Sequence, residues 1–170
     1  DLKDADAEAK PYGFSINIGD SQTTVQFQKV DGTSINVPLS HPHSPDDTFE
    51  NARIVKAGGK VSGGKIRDKN YGYTHVTRAL GDFYLKQIPM MDGSEVYDFS
   101  PNTIVTADPD IKVFEINPTD SLTFTICSDG ISDHFTMPEI HTIVSNTIDE
   151  GKDPAKELCD SSFIKTRDDV

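Results

Sequence analysis

Hydrophobic and polar residues alternate in several short stretches of the chain, and this period of two predicts β-strands. The clearest stretch runs from residue 122 to 127, where Leu122, Phe124 and Ile126 alternate with threonine and cysteine. We expect these three apolar side chains to lie on a core. Similar stretches predict further strands at residues 14–18, 24–29, 34–39, 104–106 and 111–116.

One helix and two irregular segments are predicted in the middle of the chain. Thr48 can cap a helix from residue 49 to about residue 57, which Gly58 would end. The glycine-rich residues 60–76 are expected to form a mobile segment. Residues 87–102 are predicted to be an insertion loop.

Two further helices are predicted in the last third of the chain. Thr136 and Glu139 have the spacing of a capping box at the start of the first. Its apolar stripe comprises Ile140, Ile143, Val144 and Ile148. The dipeptide Asp153-Pro154 starts the second helix, on which one face comprises Ala155, Leu158, Cys159 and Ser162. Strands mixed with helices predict a fold of the α/β (α+β) class.

Composition excludes some classes of function and leaves others open. The 170 residues fall within the range of one domain, and the formal charge is −12, from 28 acidic and 16 basic residues. This charge argues against a nucleic-acid binder, which would need a basic surface. We find no membrane-spanning run. Cys127 and Cys159 have no disulfide-framework spacing, so we expect reduced thiols and an intracellular, cytoplasmic or nuclear location.

An acidic turn follows the clearest strand. Gly130 is expected to turn the backbone sharply and to leave Asp129 exposed at the strand end, where hard cations commonly bind. In isolation such a dipeptide is more often only a turn. The same applies to Asp20 after Gly19, and the pair Asp168-Asp169 could simply be a solvated acidic pair.

Several motifs together resemble the protein phosphatase 2C family of metal-dependent serine/threonine phosphatases, and they occur in that family's order. These motifs are Ile16–Ser21, Ala57–Val61, Thr77–Asp82, Thr125–Asp133 and Arg167–Asp169. The resemblance extends from about residue 12 to residue 170. It implies a four-layer α-β-β-α sandwich with two antiparallel sheets covered by helices, of which residues 1–170 would form the C-terminal half.

The resemblance also implies what this chain lacks. The family's Asp-Gly-His-Gly turn, which supplies the general acid, and its phosphate-binding arginine are not found in the sequence. We therefore expect no catalytic residue in this chain, and we expect the missing N-terminal half of the domain to be a partner. Phosphoproteins are the implied substrates.

The implied cofactors are two Mn²⁺ or Mg²⁺ ions at the core of the site, with a possible third. Carboxylates suit these hard cations, and two such ions can bind phosphate and activate water. By resemblance, Asp129 and Asp168 are ligands of the core ions and Asp20 is a ligand of the third.

The remaining candidate residues have supporting roles in this interpretation. Residues 60–76 resemble the flap of the family. Lys65 and Arg67 in this flap-like segment could touch substrate, although two exposed loop cations are an equal alternative. We expect Arg78 to form a structural ion pair. Three acidic residues are interpreted as structural or as orienting a loop or water, namely Asp82, Asp133 and Asp169. The histidines lack metal-site spacing, and we expect loop or surface roles for His41, His43, His75, His134 and His141.

Two functions remain open at this point. The first is hydrolysis of phosphoserine and phosphothreonine in proteins, with this chain supplying part of the site and being inactive alone. The alternative is a pseudophosphatase or scaffold that binds protein partners. The absent first half of the domain favours it, together with Gln22 in place of the arginine usual after Gly-Asp-Ser. No loop has the alternating carboxylates of an EF-hand, so a calcium-binding module is disfavoured.

Overall fold

The computed structural model describes residues 11–68, 72–89, 95–97 and 103–168. The described residues form a mixed α/β fold whose sheets are antiparallel. They divide into two compact units. The first unit comprises residues 11–15, 22–40 and 111–168, and the second unit comprises the described residues of 16–21 and 41–110.

The elements follow one another in this order along the chain. The strands are β1 (Tyr12–Asn17), β2 (Gln22–Gln28), β3 (Ser34–Pro38), β4 (Lys60–Val61), β5 (Ile66–Asp68), β6 (Gly72–Thr74), β7 (Gln87–Pro89), β8 (Glu95–Tyr97), β9 (Asp110–Glu115) and β10 (Ser121–Cys127). The helices are α1 (Thr48–Lys56), α2 (Asp129–Ser132), α3 (Met137–Asp149) and α4 (Pro154–Asp168), with a 3-10 helix at Phe83–Lys86. None of the described helices combines the length and apolarity needed to span a membrane.

The main sheet of the first unit has the order β10-β2-β3. Both pairings are antiparallel, and they place Phe124 opposite Val25 and Thr125 opposite Thr24. Strands β1 and β9 form a separate two-stranded sheet. The strands predicted at residues 14–18, 24–29, 34–39, 111–116 and 122–127 are thus present, with ends shifted by a few residues.

The buried face of β10 is opposite to the predicted one. Phe124 is 50% exposed and Ile126 is 74% exposed, whereas Thr125 and Cys127 are buried. The reason is that α3 and α4 cover the threonine-cysteine face, since Cys127 packs in one cluster with Ile140, Val144 and Leu158. The face of Phe124 contacts the ring of Phe114 on β9, at 6.1 Å between centroids.

The start of α1 also differs from the prediction. Asp47, not Thr48, is the capping residue, and its Oδ1 accepts hydrogen bonds from the backbone N–H groups of Phe49 and Glu50 at 2.9 Å each. Gly58 follows the helix with a φ of +85°, a left-handed conformation that glycine adopts without strain. The end of the helix is therefore as predicted.

The predicted flap-like segment contains a three-stranded antiparallel sheet, β4-β5-β6. Ile66 on β5 is buried with Ile54 of α1, Leu85 and Val105, and this cluster is the core of the second unit. Strands β7 and β8 pair within the predicted insertion loop, of which residues 90–94 and 98–102 lie outside the described residues. Residues 104–106 do not form the predicted strand, and only an isolated parallel bridge joins Thr106 to Arg78.

The last two helices pack against each other in the first unit. The capping box is confirmed, because the backbone N–H of Thr136 donates to Glu139 Oε2 at 2.7 Å. On α4, Leu158 and Ser162 are buried, but Ala155 and Cys159 are exposed. Only two of the four residues predicted for this face of α4 are therefore buried.

Candidate metal-ligating and substrate-facing residues

Asp129 lies at the first position of α2, directly after β10 and the capping residue Ser128. Its side chain is exposed to solvent, and its Oδ1 accepts the backbone N–H of Gly130 at 2.8 Å. Gly130 belongs to the helix and does not make the sharp turn predicted for it. The carboxylate thus begins a short helix at a strand end, where the helix N-terminus favours negative charge.

The last turns of α4 fix the position of α2. Ser162 Oγ donates to the carbonyl oxygen of Gly130 at 2.6 Å, and Lys165 donates to the carbonyl oxygen of His134. Asp168 is the last residue of this same helix α4, and its side chain lies outside the described residues. The backbone segments that carry Asp129 and Asp168 therefore belong to neighbouring helices of the first unit. Asp169 lies outside the described residues.

Asp133 ends α2. Its backbone N–H donates to the carbonyl oxygen of Asp129 at 2.9 Å, and its side chain is exposed. Asp133 follows Asp129 by four positions, so both side chains start from the same side of the helix.

Asp20 lies in the second unit, on a turn that follows β1. Gly19 before it has a φ of +117°, which a residue with a side chain rarely adopts. The carbonyl oxygen of Gly19 accepts Nδ2 of Asn17 at 3.2 Å. Asp20 itself is partly exposed, as a ligand for a solvent-derived ion would need to be.

A buried carboxylate organises the interior of the second unit. Glu50 is 3% exposed and accepts hydrogen bonds from Arg78 Nη2 at 2.6 Å, Arg53 Nη2 at 3.0 Å and Thr77 Oγ1 at 2.5 Å. Burial by itself would raise the pKa of Glu50, but the hydrogen bonds from Arg78, Thr77 and Arg53 outweigh it and lower the pKa to about 2. The group is therefore an anion held between two guanidinium ions.

Arg78 extends this network to a second carboxylate. Its Nη1 donates to Asp110 Oδ1 at 3.1 Å and to the carbonyl oxygen of Asp108 at 3.0 Å. Asp110 also accepts Nε2 of the buried His43 at 3.0 Å. Burial would raise the pKa of Asp110, and the bonds from His43 and Arg78 lower it.

Comparison with known proteins identifies the fold and the family. The family model described as "Protein phosphatase 2C" matches residues 14–169. The chain belongs to the protein phosphatase 2C family. Among its relatives, "Protein phosphatase 1L" of Bos taurus is 31% identical over 150 residues, covering 88% of this chain. "Protein phosphatase 2C homolog 2" of Schizosaccharomyces pombe is 34% identical over 120 residues, covering 71% of this chain.

Solved structures support the same fold. The crystal structure of a serine-threonine phosphatase 2C from Toxoplasma gondii superposes with a TM-score of 0.72 at 21% identity, covering 94% of this chain and 51% of that one. A Caenorhabditis elegans sex-determining protein gives 0.65 at 22% identity, with 92% and 34% covered. The chain spans only 36% of the bovine relative and 28% of the yeast relative.

The flap-like segment of this family member carries two candidate substrate contacts. Lys65 follows a turn at Gly63 and Gly64, and its Nζ lies 4.3 Å from the centroid of the Tyr73 ring. Arg67 on β5 is exposed and pairs across the sheet with the same Tyr73. This small sheet therefore places two cations beside one aromatic ring.

Lys86 stabilises the loop that follows Arg78 and contains Asp82. Asp82 has a φ of +53°, the only positive value among the described residues other than glycine. Lys86 is fully buried, and its Nζ donates to the carbonyl oxygens of Ala79 at 2.6 Å and Gly81 at 2.5 Å. The ammonium group thus replaces backbone partners that an irregular loop cannot provide.

Sequence reasoning missed three buried polar residues. His43 is 1% exposed and His141 is 2% exposed. His43 lies in a loop, as expected, but it is not on the surface, and for His141, which lies in α3, the expected loop or surface role is wrong. Glu50 was not singled out as a site residue. No local pattern identifies them as buried, because at least one partner of each lies far away in sequence: His141 Nε2 is 2.9 Å from Thr24 Oγ1, and Glu50 bonds Arg78 as well as the nearby Arg53.

The donors present fit part of a divalent-cation site. Asp129 and Asp20 are carboxylates that solvent reaches, which suits Mn²⁺ or Mg²⁺. Among the described residues, however, no three histidine, cysteine or acidic side chains gather at one place. In this part of the chain each candidate therefore offers a single ligand.

Proposed function

We propose that this chain forms part of the catalytic domain of a metal-dependent protein serine/threonine phosphatase. The family membership supports hydrolysis of phosphoserine and phosphothreonine in proteins. The observation that carries the proposal is the placement of Asp129: an exposed carboxylate at a helix start, after the strand of a family motif, on a helix tethered to the end of α4.

In this proposal Asp129 and Asp168 hold Mn²⁺ or Mg²⁺, and Asp20 holds a further ion. When bound, such ions neutralise phosphate oxygens and activate water for attack on phosphorus. The hydrogen bonds from Ser162 and Lys165 keep α2 and α4 together, so the backbone positions of Asp129 and Asp168 would be fixed before a metal arrives. Lys65 and Arg67 would attract the negative charges of a phosphopeptide.

The remaining ligands, the general acid and the phosphate-binding arginine would come from residues outside this sequence. We propose that the same additional part of the domain covers the exposed side chains of Phe124 and Ile126, because a sheet face with such residues is normally packed against another layer. The isolated chain is then expected to have little or no activity.

Calorimetric titration of Mn²⁺ into the purified chain tests the metal role. Asp129→Asn with Asp168→Asn should remove the binding at these two carboxylates and leave only the binding at Asp20, since the amide oxygens carry no charge, whereas the exposed control Asp160→Asn should bind as the parent chain does. Equal binding by the double variant and the parent, or none by either, would contradict this role. That result would favour a binding domain without catalysis.

A further inference from the structure

His43 holds both polar groups of the Gly19 backbone. The imidazole Nδ1 accepts the N–H of Gly19 at 3.0 Å, and the backbone N–H of His43 donates to the carbonyl oxygen of Gly19 at 3.0 Å. Gly19 has a φ of +117° and directly precedes Asp20. The direction of the Asp20 side chain therefore depends on a residue whose N–H and carbonyl groups are both hydrogen-bonded to His43.

The second ring nitrogen of His43, Nε2, also has a hydrogen-bond partner. Nε2 lies 3.0 Å from Asp110 Oδ2, and the second oxygen of Asp110 accepts Arg78 Nη1 at 3.1 Å. A carboxylate can only accept here, and the Gly19 N–H can only donate. His43 is consequently the neutral tautomer with its proton on Nε2.

The backbone of His43 joins the same network. Its carbonyl oxygen accepts the backbone N–H of Thr77 at 3.0 Å, and Thr77 Oγ1 donates to the buried Glu50. A continuous series of hydrogen bonds therefore runs from Glu50 through Arg78, Asp110 and His43 to Gly19. All of these residues lie in the second unit.

We propose that His43 is a positioning residue, which fixes the Gly19-Asp20 turn through the direct hydrogen bond from the Gly19 N–H to its Nδ1 and so presets the Asp20 carboxylate for a divalent cation. Its last step rests on the proposed metal role of Asp20. The first step, control of the turn, does not depend on that role.

Two substitutions of similar size distinguish the hydrogen bond at Nδ1 from the hydrogen bond at Nε2. In His43→Asn the amide oxygen lies near the place of Nδ1 and can still accept the Gly19 N–H, but the bond to Asp110 is lost. In His43→Gln the longer side chain reaches Asp110 but offers no acceptor to Gly19. Both variants keep the backbone bond from the His43 N–H to the Gly19 carbonyl oxygen. A difference between them in the exchange rate of Gly19 therefore reports the side-chain bond.

NMR spectroscopy measures the turn directly. The parent chain should show a scalar coupling between the Gly19 amide nitrogen and His43 Nδ1 across the hydrogen bond. Hydrogen exchange at Gly19 should be about fivefold to tenfold faster in His43→Gln, the effect of one lost hydrogen bond. In His43→Asn it should stay near the parent rate. Equal protection in His43→Gln, or equal loss in both variants, would overturn the proposal.

Titration with Mn²⁺ then tests the last step, through paramagnetic broadening of the amide signals of residues 19–21. His43→Gln should need about fivefold to tenfold more Mn²⁺ than the parent or His43→Asn, and Asp20→Asn should show no local broadening. An unchanged requirement in His43→Gln would overturn this step. No broadening in the parent would contradict the metal role of Asp20 alone, while the exchange data would still decide the positioning role.

Discussion

At the scale of single residues, the buried charges of the second unit are more informative than its apolar side chains. Glu50 lies between Arg53 and Arg78, and each guanidinium has further acceptors, such as the carbonyl oxygen of Thr103 for Arg53 at 2.6 Å. A buried ion is tolerated only when it is paired and fully hydrogen-bonded. Glu50 meets this condition, so its removal should be costly.

Glu50→Gln should lower the free energy of unfolding at pH 7 by about 3 kcal/mol, at the lower end of the range for a broken buried pair because Arg78 keeps Asp110. The folded pKa of about 2 lies below the ordinary 4.5, so the stabilisation is complete above pH 4.5 and is lost as the pH falls towards 2. Urea unfolding of both chains across this pH range measures the difference.

The exposed Glu157→Gln on α4 is the matched control for this measurement, and it should change the stability by less than about 0.5 kcal/mol at any pH. A difference between the Glu50→Gln chain and the parent that stayed constant from pH 7 to pH 2 would contradict the assigned pKa shift.

At the scale of elements, α1 provides a test of which residue starts a helix. Asp47→Ala should destabilise the protein by about 1 kcal/mol, because Asp47 Oδ1 accepts two backbone N–H groups of the first turn. Thr48→Ala should cost less than about 0.5 kcal/mol, since Thr48 lies inside the helix. Thermal or chemical unfolding of the two variants compares them, and a larger loss for Thr48→Ala would assign the cap to Thr48.

Strands and helices with a strong local period could be predicted from the sequence. The alternation along β10 and the capping box of α3 are determined by neighbouring residues, so both were found. The buried face of β10 could not be predicted, because it depends on which layer covers the strand, and here helices cover Thr125 and Cys127. A local pattern indicates that two faces differ, not which face is covered.

In the candidate site too, local motifs could be predicted from the sequence, whereas long-range contacts could not. The motifs of the protein phosphatase 2C family indicated Asp20 and Asp129 by resemblance, and the structure adds how each is held. His43 was missed because its partners, Gly19 and Asp110, lie 24 and 67 residues away along the chain. Sequence spacing detects ligands on one element, whereas such long-range hydrogen bonds appear only in the folded chain.

At the scale of the whole molecule, the chain is much shorter than its relatives. It covers 36% of the bovine protein phosphatase 1L, and its described residues form no group of three metal-binding side chains. One ligand from each of several segments holds a cation weakly, because a tight site needs about six oxygen donors, several of them from protein. Catalysis should therefore require the remaining part of the domain.

The last prediction concerns restored activity. The isolated chain should not release phosphate from a phosphoserine peptide with Mn²⁺ present, whereas a chimera in which it replaces the matching part of protein phosphatase 1L should. Asp129→Asn in the chimera should reduce the rate about a hundredfold or more. Mutation of a residue that only hydrogen-bonds to a metal ligand already lowers metal affinity or activity by about 10–100-fold, and loss of a ligand should have a larger effect. Asp160→Asn, on the exposed side of α4, should leave it unchanged. Activity of the isolated chain, or full activity of the Asp129→Asn chimera, would refute the assignment.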